Sequence, residues 1–340
     1  MELNLKELIK RPEYKWIEEY KDRICFITFG GSYAYGTNVE GSDIDIRGVM
    51  LPTKEELIGL KNFEQRIDED TDTVLYEFNK YIRLISQTNP NTVELLGGRQ
   101  YLIFNEVGQQ LLDKAKLFLS KRCINTFGGY ANAQLRRVEN ALCHDSYPEE
   151  DKVRHIKTTM DVAMAKLQEK NELFFENAVT TKIKNDKLFL SMHFDNKPIE
   201  LVRATLNDLL TIEKTFNKLG QRNNKKTEEK LDKHVMHLVR LYHMCFDILE
   251  KGEINTYREK DREFLLEIRN GKFIREGKLT NEFRTYLKEL EERLEKAKQL
   301  TVVPEKCDYK EIEKFIIDVN TKVINGTIKQ YKEPQELIRL

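Results

Sequence analysis

The sequence predicts an α+β fold with a mixed β-sheet in the first third of the chain, followed by a mainly helical domain. The first observation is the apolar run ICFITF at residues 24–29, which ends at two glycines and so predicts a buried strand followed by a turn. The second is the alternation of polar and apolar residues at 43–46 and again within 62–76, which is typical of strands. The third is the helical period of the apolar residues from about residue 107 onwards.

Length and composition are those of an intracellular protein. The chain has 340 residues, so two domains are expected, and its 57 basic and 57 acidic residues balance. The five cysteines include no C-x-x-C pair, which argues for reduced thiols and against a zinc ribbon. The N-terminal residues MELNLKELIKRPEYKWIEEYK predict an amphipathic, charged helix rather than a signal peptide. No apolar run approaches the roughly 18 residues of a membrane span, so we expect a cytoplasmic protein with no membrane segment.

A glycine turn and a carboxylate pair follow the first predicted strand. Gly30, Gly31 and Ser32 open a short helical segment, and glycine dihedrals with a serine hydroxyl suit a phosphate-binding turn. About ten residues later, Asp43 and Asp45 share one face of a predicted strand. Their backbone positions are about 7 Å apart, so the carboxylates can converge on two metal ions about 4 Å from each other. This order predicts a Mg²⁺ site that holds a triphosphate.

A third carboxylate is expected from the next predicted hairpin. Residues 62–76 predict two strands around the polar turn DEDT. Asp72 has the parity of Val74 and Tyr76 on the second strand, whereas Glu77 lies where the helix EFNKYIRLISQ begins. We favour Asp72 and keep Glu77 as the alternative. A Pro-initiated helix is then predicted at 89–96.

The remainder of the chain has mostly helical patterns. Amphipathic helices are predicted at 107–119, 122–143, 149–176, 199–218, 227–251, 258–269, 279–299 and 308–325. The exception is TTKIKNDKLFLSMHF, which predicts a β-hairpin around Asn185 and Asp186. We therefore predict a catalytic domain at 1–106 and a helical domain at 107–340, with the hairpin inserted near 180–194.

One predicted helix carries a charged segment, KHVMHLVRLYHMCFDIL. Lys233, His237 and Arg240 are spaced by four and three residues and so lie on one helix face. A zinc site formed with His234 and His243 lacks cysteine or carboxylate partners at ligand spacing. Two interpretations remain open: a cationic face that binds a triphosphate or a polynucleotide backbone, and a solvated helix face.

The order of apolar strand, Gly-Gly-Ser and Asp-x-Asp resembles the nucleotidyltransferase superfamily that includes DNA polymerase beta. Over roughly residues 20–325, the chain is similar to the bacterial and phage RNA-ligase-associated, RNA-repair polymerase-beta-like family of predicted nucleotidyltransferases. The blocks that carry this similarity are GSYAYGTNVEGSDIDIRGV, DTVLYEFNKYIRL, NPNTVELL, KHVMHLVRLYHMCFDILEKGEI, DREFLLEIRNGK and VVPEKCDYKEI. Residues 178–196 have no counterpart in it.

The resemblance implies a polymerase-beta-like fold and a role for each motif. The implied phosphate-binding residues are Gly30, Gly31 and Ser32, the implied metal ligands are Asp43, Asp45 and either Asp72 or Glu77, and the K-x-x-x-H-x-x-R block is Lys233, His237 and Arg240. The implied cofactor is Mg²⁺ as two ions, with Mn²⁺ as an alternative. The implied reaction transfers a nucleoside monophosphate from an NTP such as ATP to an RNA end and releases pyrophosphate.

Two other functions stay open at the level of the sequence. The first is nucleotidyl transfer to a small molecule or a protein, or synthesis of a signalling oligonucleotide, since GTNVEGSDID is also similar to the cyclic-GMP-AMP-synthase-like enzymes. The second is a non-enzymatic nucleotide sensor, which the intact carboxylates disfavour. Because the total charge is balanced, an RNA site would have to be a local basic patch.

Overall fold

The computed structural model describes residues 3–146, 179–184, 187–192 and 227–339, with short helical pieces between 199 and 210. The chain divides into two compact units. The first comprises Met1–Arg137, Asp232–Arg275 and Thr280–Leu340, and the second comprises Val138–Leu231 and Glu276–Leu279. This division differs from the predicted boundary between residues 106 and 107. The difference arises because most of the chain after residue 231 belongs to the same unit as the N-terminal residues.

The first unit contains a mixed β-sheet of six strands. The strands of the chain are β1 (Ile24–Phe29), β2 (Ile46–Met50), β3 (Gln65–Asp68), β4 (Thr73–Glu77), β5 (Gln100–Asn105), β6 (Val179–Lys184), β7 (Lys187–Met192), β8 (Ile274–Arg275), β9 (Lys278–Leu279) and β10 (Gln330–Ile338). The order in the sheet is β10-β5-β1-β2-β4-β3. Strands β2 and β4 are parallel, and the other neighbours are antiparallel. The predicted α+β class with a mixed sheet is confirmed.

Helices surround the sheet and dominate the C-terminal part of the chain. The α-helices are α1 (Leu5–Leu8), α2 (Trp16–Glu19), α3 (Gly31–Tyr35), α4 (Lys54–Ile58), α5 (Phe78–Ser86), α6 (Pro90–Val93), α7 (Glu106–Asp113), α8 (Cys123–Ser146), α9 (Glu228–Phe246), α10 (Arg262–Arg269), α11 (Asn281–Leu300) and α12 (Tyr309–Asn325). Short 3₁₀ turns occur at Pro12–Tyr14, Glu94–Leu96, Ala115–Phe118 and Glu259–Asp261, and a π-helix at Asp247–Lys251 extends α9. Among the described residues, none of these helices has both the length and the apolar composition needed to cross a membrane.

Most predicted elements that fall on described residues are confirmed. The hairpin of β3 and β4, the helical region at 89–96 and all the helices predicted after residue 226 are present. The hairpin predicted near 180–194 is also present, because β6 and β7 pair from Val179–Met192 to Lys184–Lys187. Its turn at 185–186, the predicted helix at 149–176 and most of the predicted helix at 199–218 lie outside the described residues.

Two predictions about the N-terminal third need correction. The single N-terminal helix is broken into α1, a 3₁₀ turn and α2, because Pro12 cannot continue a helix. Strand β2 begins at Ile46 rather than Asp43, since its pairing with β1 starts at Phe29 opposite Ile46. Asp43 and Asp45 therefore lie in the segment that leads into the strand.

Strands β5 and β10 are absent from the predicted elements, although both belong to the sheet. Strand β10 forms an edge of the sheet and contains Pro334, whose missing N–H is tolerated at an edge. Its pairing with β5 brings residues 330–338 onto the same sheet as β1 and β2. Such long-range pairing leaves little local signal in the sequence.

Candidate active site

The glycine turn connects β1 to α3 at one end of the sheet. Gly30 precedes the helix in an extended conformation, and its N–H donates to the carbonyl of Asp45 at 2.8 Å. Gly31 has φ +52°, in the left-handed region that favours glycine, and a Cβ there would overlap Oδ2 of Asp45. Ser32 is half-buried on the first turn of α3. The glycines therefore let the turn approach the Asp45 carboxylate closely.

Asp45 and Asp72 come together because β2 and β4 run parallel and in register. Ile46 pairs with Thr73, so the residues that precede the two strands lie side by side. Arg47 joins their carboxylates, with Nη2 at 2.9 Å from Oδ1 of Asp45 and 3.2 Å from Oδ1 of Asp72. Burial and then a hydrogen bond with the Asp72 carboxyl raise the pKa of Asp45 to about 6, against the opposing charge of Arg47. The site is thus a carboxylate pair with excess negative charge.

The backbone of Asp72 is held in an uncommon conformation. Its φ is +42°, a region that aspartate tolerates better than most residues. The carbonyl of Asp72 accepts hydrogen bonds from the backbone N–H of Ile46 and from Nη1 of Arg47. The side chain is 57% exposed, whereas that of Asp45 is 19% exposed. Arg47 therefore fixes Asp72 while leaving its carboxylate open to solvent.

Asp43 is exposed and lies two residues before Asp45. In the part of the chain that the structure describes, no three His, Cys, Asp or Glu side chains are grouped closely enough to hold a metal ion. The set of three carboxylates expected from the sequence is therefore present as the pair Asp45 and Asp72, with Asp43 outside the group.

Glu77 lies away from this pair, at the other end of β4. It pairs with Met50 and is separated from Asp72 by five residues, or about 16 Å of strand. Its buried carboxylate accepts the backbone N–H groups of Asn79 at 2.8 Å and Lys80 at 2.7 Å. Glu77 is therefore the N-cap of α5. Between the two candidates from the sequence, the structure brings Asp72 and not Glu77 to Asp45.

Lys233, His237 and Arg240 on α9 do not form one exposed cationic face. Lys233 is exposed. The ring of His237 meets the ring of Tyr35 edge to face, with the ring centres 6.4 Å apart. Burial, and then the charges of Arg240 and Lys233, lower the pKa of His237 to about 3, so this side chain is neutral at pH 7. Arg240 is buried, and its guanidinium lies 3.4 Å from the centre of the Tyr35 ring. The expectation of three cations facing a cleft therefore does not match their placement.

Glu94 neutralises Arg240. One oxygen of Glu94, Oε2, lies 3.3 Å from Nη1 of Arg240 and accepts the hydroxyl of Tyr35 at 2.7 Å. Tyr35 is the last residue of α3, so this buried trio links α9 to the helix that follows the glycine turn. Arg47, Tyr35 and Glu94 are parts of this site that were not predicted from the sequence. Only Arg47 had a usable signal in the sequence, because it lies two residues after Asp45 and so shares its face in the strand predicted there.

Replacing Arg240 is expected to destabilise the fold. The change Arg240→Ala removes a cation that is 6% exposed and leaves Glu94, 9% exposed, without its ionic partner. Breaking such a buried pair costs about 3–5 kcal/mol of unfolding free energy. Urea unfolding measures this loss, and Lys233→Ala on the same helix is the exposed control, with an expected change within about 0.5 kcal/mol. Equal stability of the two variants would contradict the placement of Arg240.

Replacing Gly31 is expected to impair the site through a steric overlap with Asp45. The change Gly31→Ala adds strain at φ +52° and displaces the Asp45 carboxylate. A displacement of about 1 Å in a catalytic group lowers a rate by about 100-fold. The matched control is Gly41→Ala, which has φ +78° but nothing within 4 Å of the added Cβ. Nucleotidyl transfer by both variants, measured under identical conditions, separates the overlap from the backbone strain. Equal activity of the two variants would contradict the predicted effect of the overlap with Asp45.

A glycine turn that faces adjacent carboxylates at the end of a mixed sheet is typical of nucleotidyltransferases. Residues 5–173 match the RNA repair pathway DNA polymerase beta family, and over these residues the chain belongs to that family. No curated protein and no solved structure matches the chain. Membership in a polymerase beta family points to nucleotidyltransferase activity. The family match contains the turn and all four candidate carboxylates but ends before α9.

Proposed function

We propose that this protein is a metal-dependent nucleotidyltransferase that transfers a nucleoside monophosphate from an NTP to an RNA end and releases pyrophosphate. The observation that carries the proposal is the contact of Asp45 with both the glycine turn and the Asp72 carboxyl. Phosphoryl transfer requires a phosphate-binding element and negatively charged metal ligands at the same place. Here the pairing of β1, β2 and β4 supplies both.

The carboxylate pair fits a divalent cation. Carboxylate oxygens are the ligands that Mg²⁺ prefers. Burial, and then the neighbouring Asp72 carboxyl, raise the pKa of Asp45 despite the opposing charge of Arg47, so a bound cation would stabilise the ionised pair. Asp45 and Asp72 would hold the metal, and the exposed side chain of Asp43 would have to turn towards this pair to serve as a further ligand. The expected cofactor is Mg²⁺, as two ions, with Mn²⁺ as a substitute. When bound, the metal would neutralise charge on the triphosphate and lower the pKa of the attacking hydroxyl.

The remaining roles fall to residues of the turn. The backbone N–H of Gly31 and the hydroxyl of Ser32 would bind the phosphates of the NTP, of which ATP is one candidate. Gly30, whose N–H donates to the Asp45 carbonyl, would hold the turn against Asp45. The acceptor hydroxyl would attack the α-phosphorus, and the bond from that phosphorus to the β-phosphate oxygen would break. Pyrophosphate would leave with the electron pair of that bond. Arg47 would keep Asp45 and Asp72 adjacent during this exchange.

The choice of an RNA acceptor is supported by the description of the matched family, which places its members in RNA repair. A single assay tests it. The protein is incubated with Mg²⁺ and each of the four α-labelled NTPs, in parallel with an RNA that has a free 3′ end, with a control protein and with no acceptor. Lengthening of the RNA, absent for Asp45→Asn, is the expected result. Label on the control protein would indicate a protein acceptor. A short oligonucleotide formed without acceptor would indicate synthesis of a signalling oligonucleotide. Either result would contradict RNA as the acceptor. No product with any acceptor would overturn the proposal.

A further inference from the structure

Three consecutive carbonyls at the end of α3 receive hydrogen bonds from a distant part of the chain. The donors belong to residues 256–269, which we call the clamp segment. The three bonds are from Arg258 N to Tyr35 O at 3.0 Å, from Arg262 Nε to Gly36 O at 2.7 Å and from Arg269 Nη1 to Thr37 O at 2.7 Å. Tyr35 is the last residue of α3, so its carbonyl has no partner within the helix and accepts the backbone N–H of Arg258 instead. The two arginine side chains bind the carbonyls of the next two residues, which follow the helix.

The clamp segment also limits the space around the end of α3. Gly36 has φ +72°, and a Cβ at this residue would lie 2.7 Å from Cε2 of Tyr257. The aromatic ring therefore packs directly against the backbone where the helix ends. Since α3 has only five residues, its first turn, with Gly31 and Ser32, and its end at Gly36 move as one piece.

The clamp segment is itself anchored within the first unit by hydrogen bonds and ion pairs. Thr256 is fully buried, and its N–H and hydroxyl donate to the carbonyls of Gly97 at 3.1 Å and Glu94 at 2.6 Å. Arg258 is buried and forms ion pairs with Asp247 and Asp261. Because these contacts fix the clamp segment, they also restrict the motion of the three carbonyls that it binds at Tyr35, Gly36 and Thr37.

Arg262 and Arg269 differ from Arg258 because their positive charges are not neutralised by ion pairs with the described residues. Within the described ranges, neither guanidinium has a carboxylate at ion-pair distance, and each donates instead to a backbone carbonyl of the segment after α3. Gly36 and Thr37 are buried, so their carbonyls need donors from the protein. A neutral donor would satisfy each carbonyl, so the two positive charges are more than the hydrogen bonding of this turn requires. Their positive charges lie beside the element that is expected to bind a triphosphate.

We infer that Arg262 and Arg269 are positioning residues for the phosphate-binding turn. They hold the end of α3, so that Gly31 and Ser32 stay at a fixed distance from the Asp45 carboxylate. This inference rests on the proposed function for its effect on nucleotide binding. Both arginines lie beyond residue 173, outside the matched family segment, so the C-terminal part of the chain completes the nucleotide site.

The first test measures the turn itself and needs no nucleotide. Hydrogen–deuterium exchange of the amides in 31–38 is compared among the intact protein, Arg262→Ala, Arg269→Ala and the control Arg284→Ala, an exposed arginine on α11. We expect exchange about tenfold faster in the first two variants and unchanged in the control. Unchanged exchange in all three would overturn the inference, whether or not the protein transfers nucleotides.

The second test measures binding of a non-reactive NTP analogue with Mg²⁺ by titration calorimetry. Each arginine variant is expected to bind about tenfold more weakly, with partial rescue by Arg262→Lys or Arg269→Lys. Combining Arg262→Ala with Ser32→Ala should weaken binding by less than the product of the two effects, because both act through α3. A lowered melting temperature with unchanged affinity would reduce the arginines to a structural role and contradict the inference. If the parent protein bound no NTP, the proposed function would fail, and the exchange experiment alone would decide the positioning of the turn.

Discussion

Asp45→Asn is expected to lower nucleotidyl transfer by about three orders of magnitude. The charge that a metal ion stabilises in the transition state is worth several kcal/mol, and each 1.36 kcal/mol is about tenfold in rate. The asparagine keeps an oxygen for Arg47 but removes the negative charge beside the glycine turn. Product formation with Mg²⁺ in excess measures the loss. The exposed Asp70→Asn is the matched control, and a rate for Asp45→Asn equal to that of this control would contradict the assignment.

The same variant is expected to be more stable than the parent protein at neutral pH in the presence of EDTA. The pKa of Asp45 rises from 3.8 to about 6 on folding, so the native state binds more protons than the unfolded state between these values. The unfolding free energy therefore falls as the pH rises through this window, and above about pH 6 the ionised Asp45 carboxylate lowers it by the full amount. The gain in melting temperature for Asp45→Asn should be present at about pH 7.5 and absent at about pH 4. A lower melting temperature at neutral pH would contradict the charge argument.

Asp72→Asn and Glu77→Gln are expected to have opposite effects. Asp72→Asn removes a carboxylate from the pair, so it should lower the transfer rate by about 100-fold or more with little change in folding. Glu77→Gln should keep the activity of the folded protein but lower its unfolding free energy by about 1 kcal/mol, because glutamine has one oxygen for the two N–H groups at the start of α5. Initial rates and urea unfolding of both variants, each measured well below its melting temperature, check this ranking. The reverse ranking would identify Glu77, and not Asp72, as the third metal ligand.

These predictions depend on the distinction between Asp72 and Glu77, which the sequence leaves open. Both residues carry carboxylates and lie at the two ends of the same strand, Asp72 just before β4 and Glu77 as its last residue. Only the parallel register of β2 and β4 decides which end of β4 meets Asp45. The register depends on contacts between residues 27 positions apart, and no local pattern encodes it.

The sequence by itself determined the α+β class, the hairpins, the helices after residue 226 and the family. The hydrophobic period sets these elements, and Gly31, Ser32, Asp43 and Asp45 occur in an order that few unrelated chains would share. Local signals are sufficient there because a turn or a strand depends mainly on neighbouring residues.

The tertiary structure alone decided which charges meet. It placed Arg47 between Asp45 and Asp72, buried Arg240 against Tyr35 and Glu94, and brought β10 and the clamp segment to the N-terminal part of the chain. Arg240 and Lys233 lie on the same helix, but Arg240 is buried beside Glu94 whereas Lys233 is exposed. The energy of a charged side chain is set by its burial and by its partner in space, and neither can be read from its position along the chain.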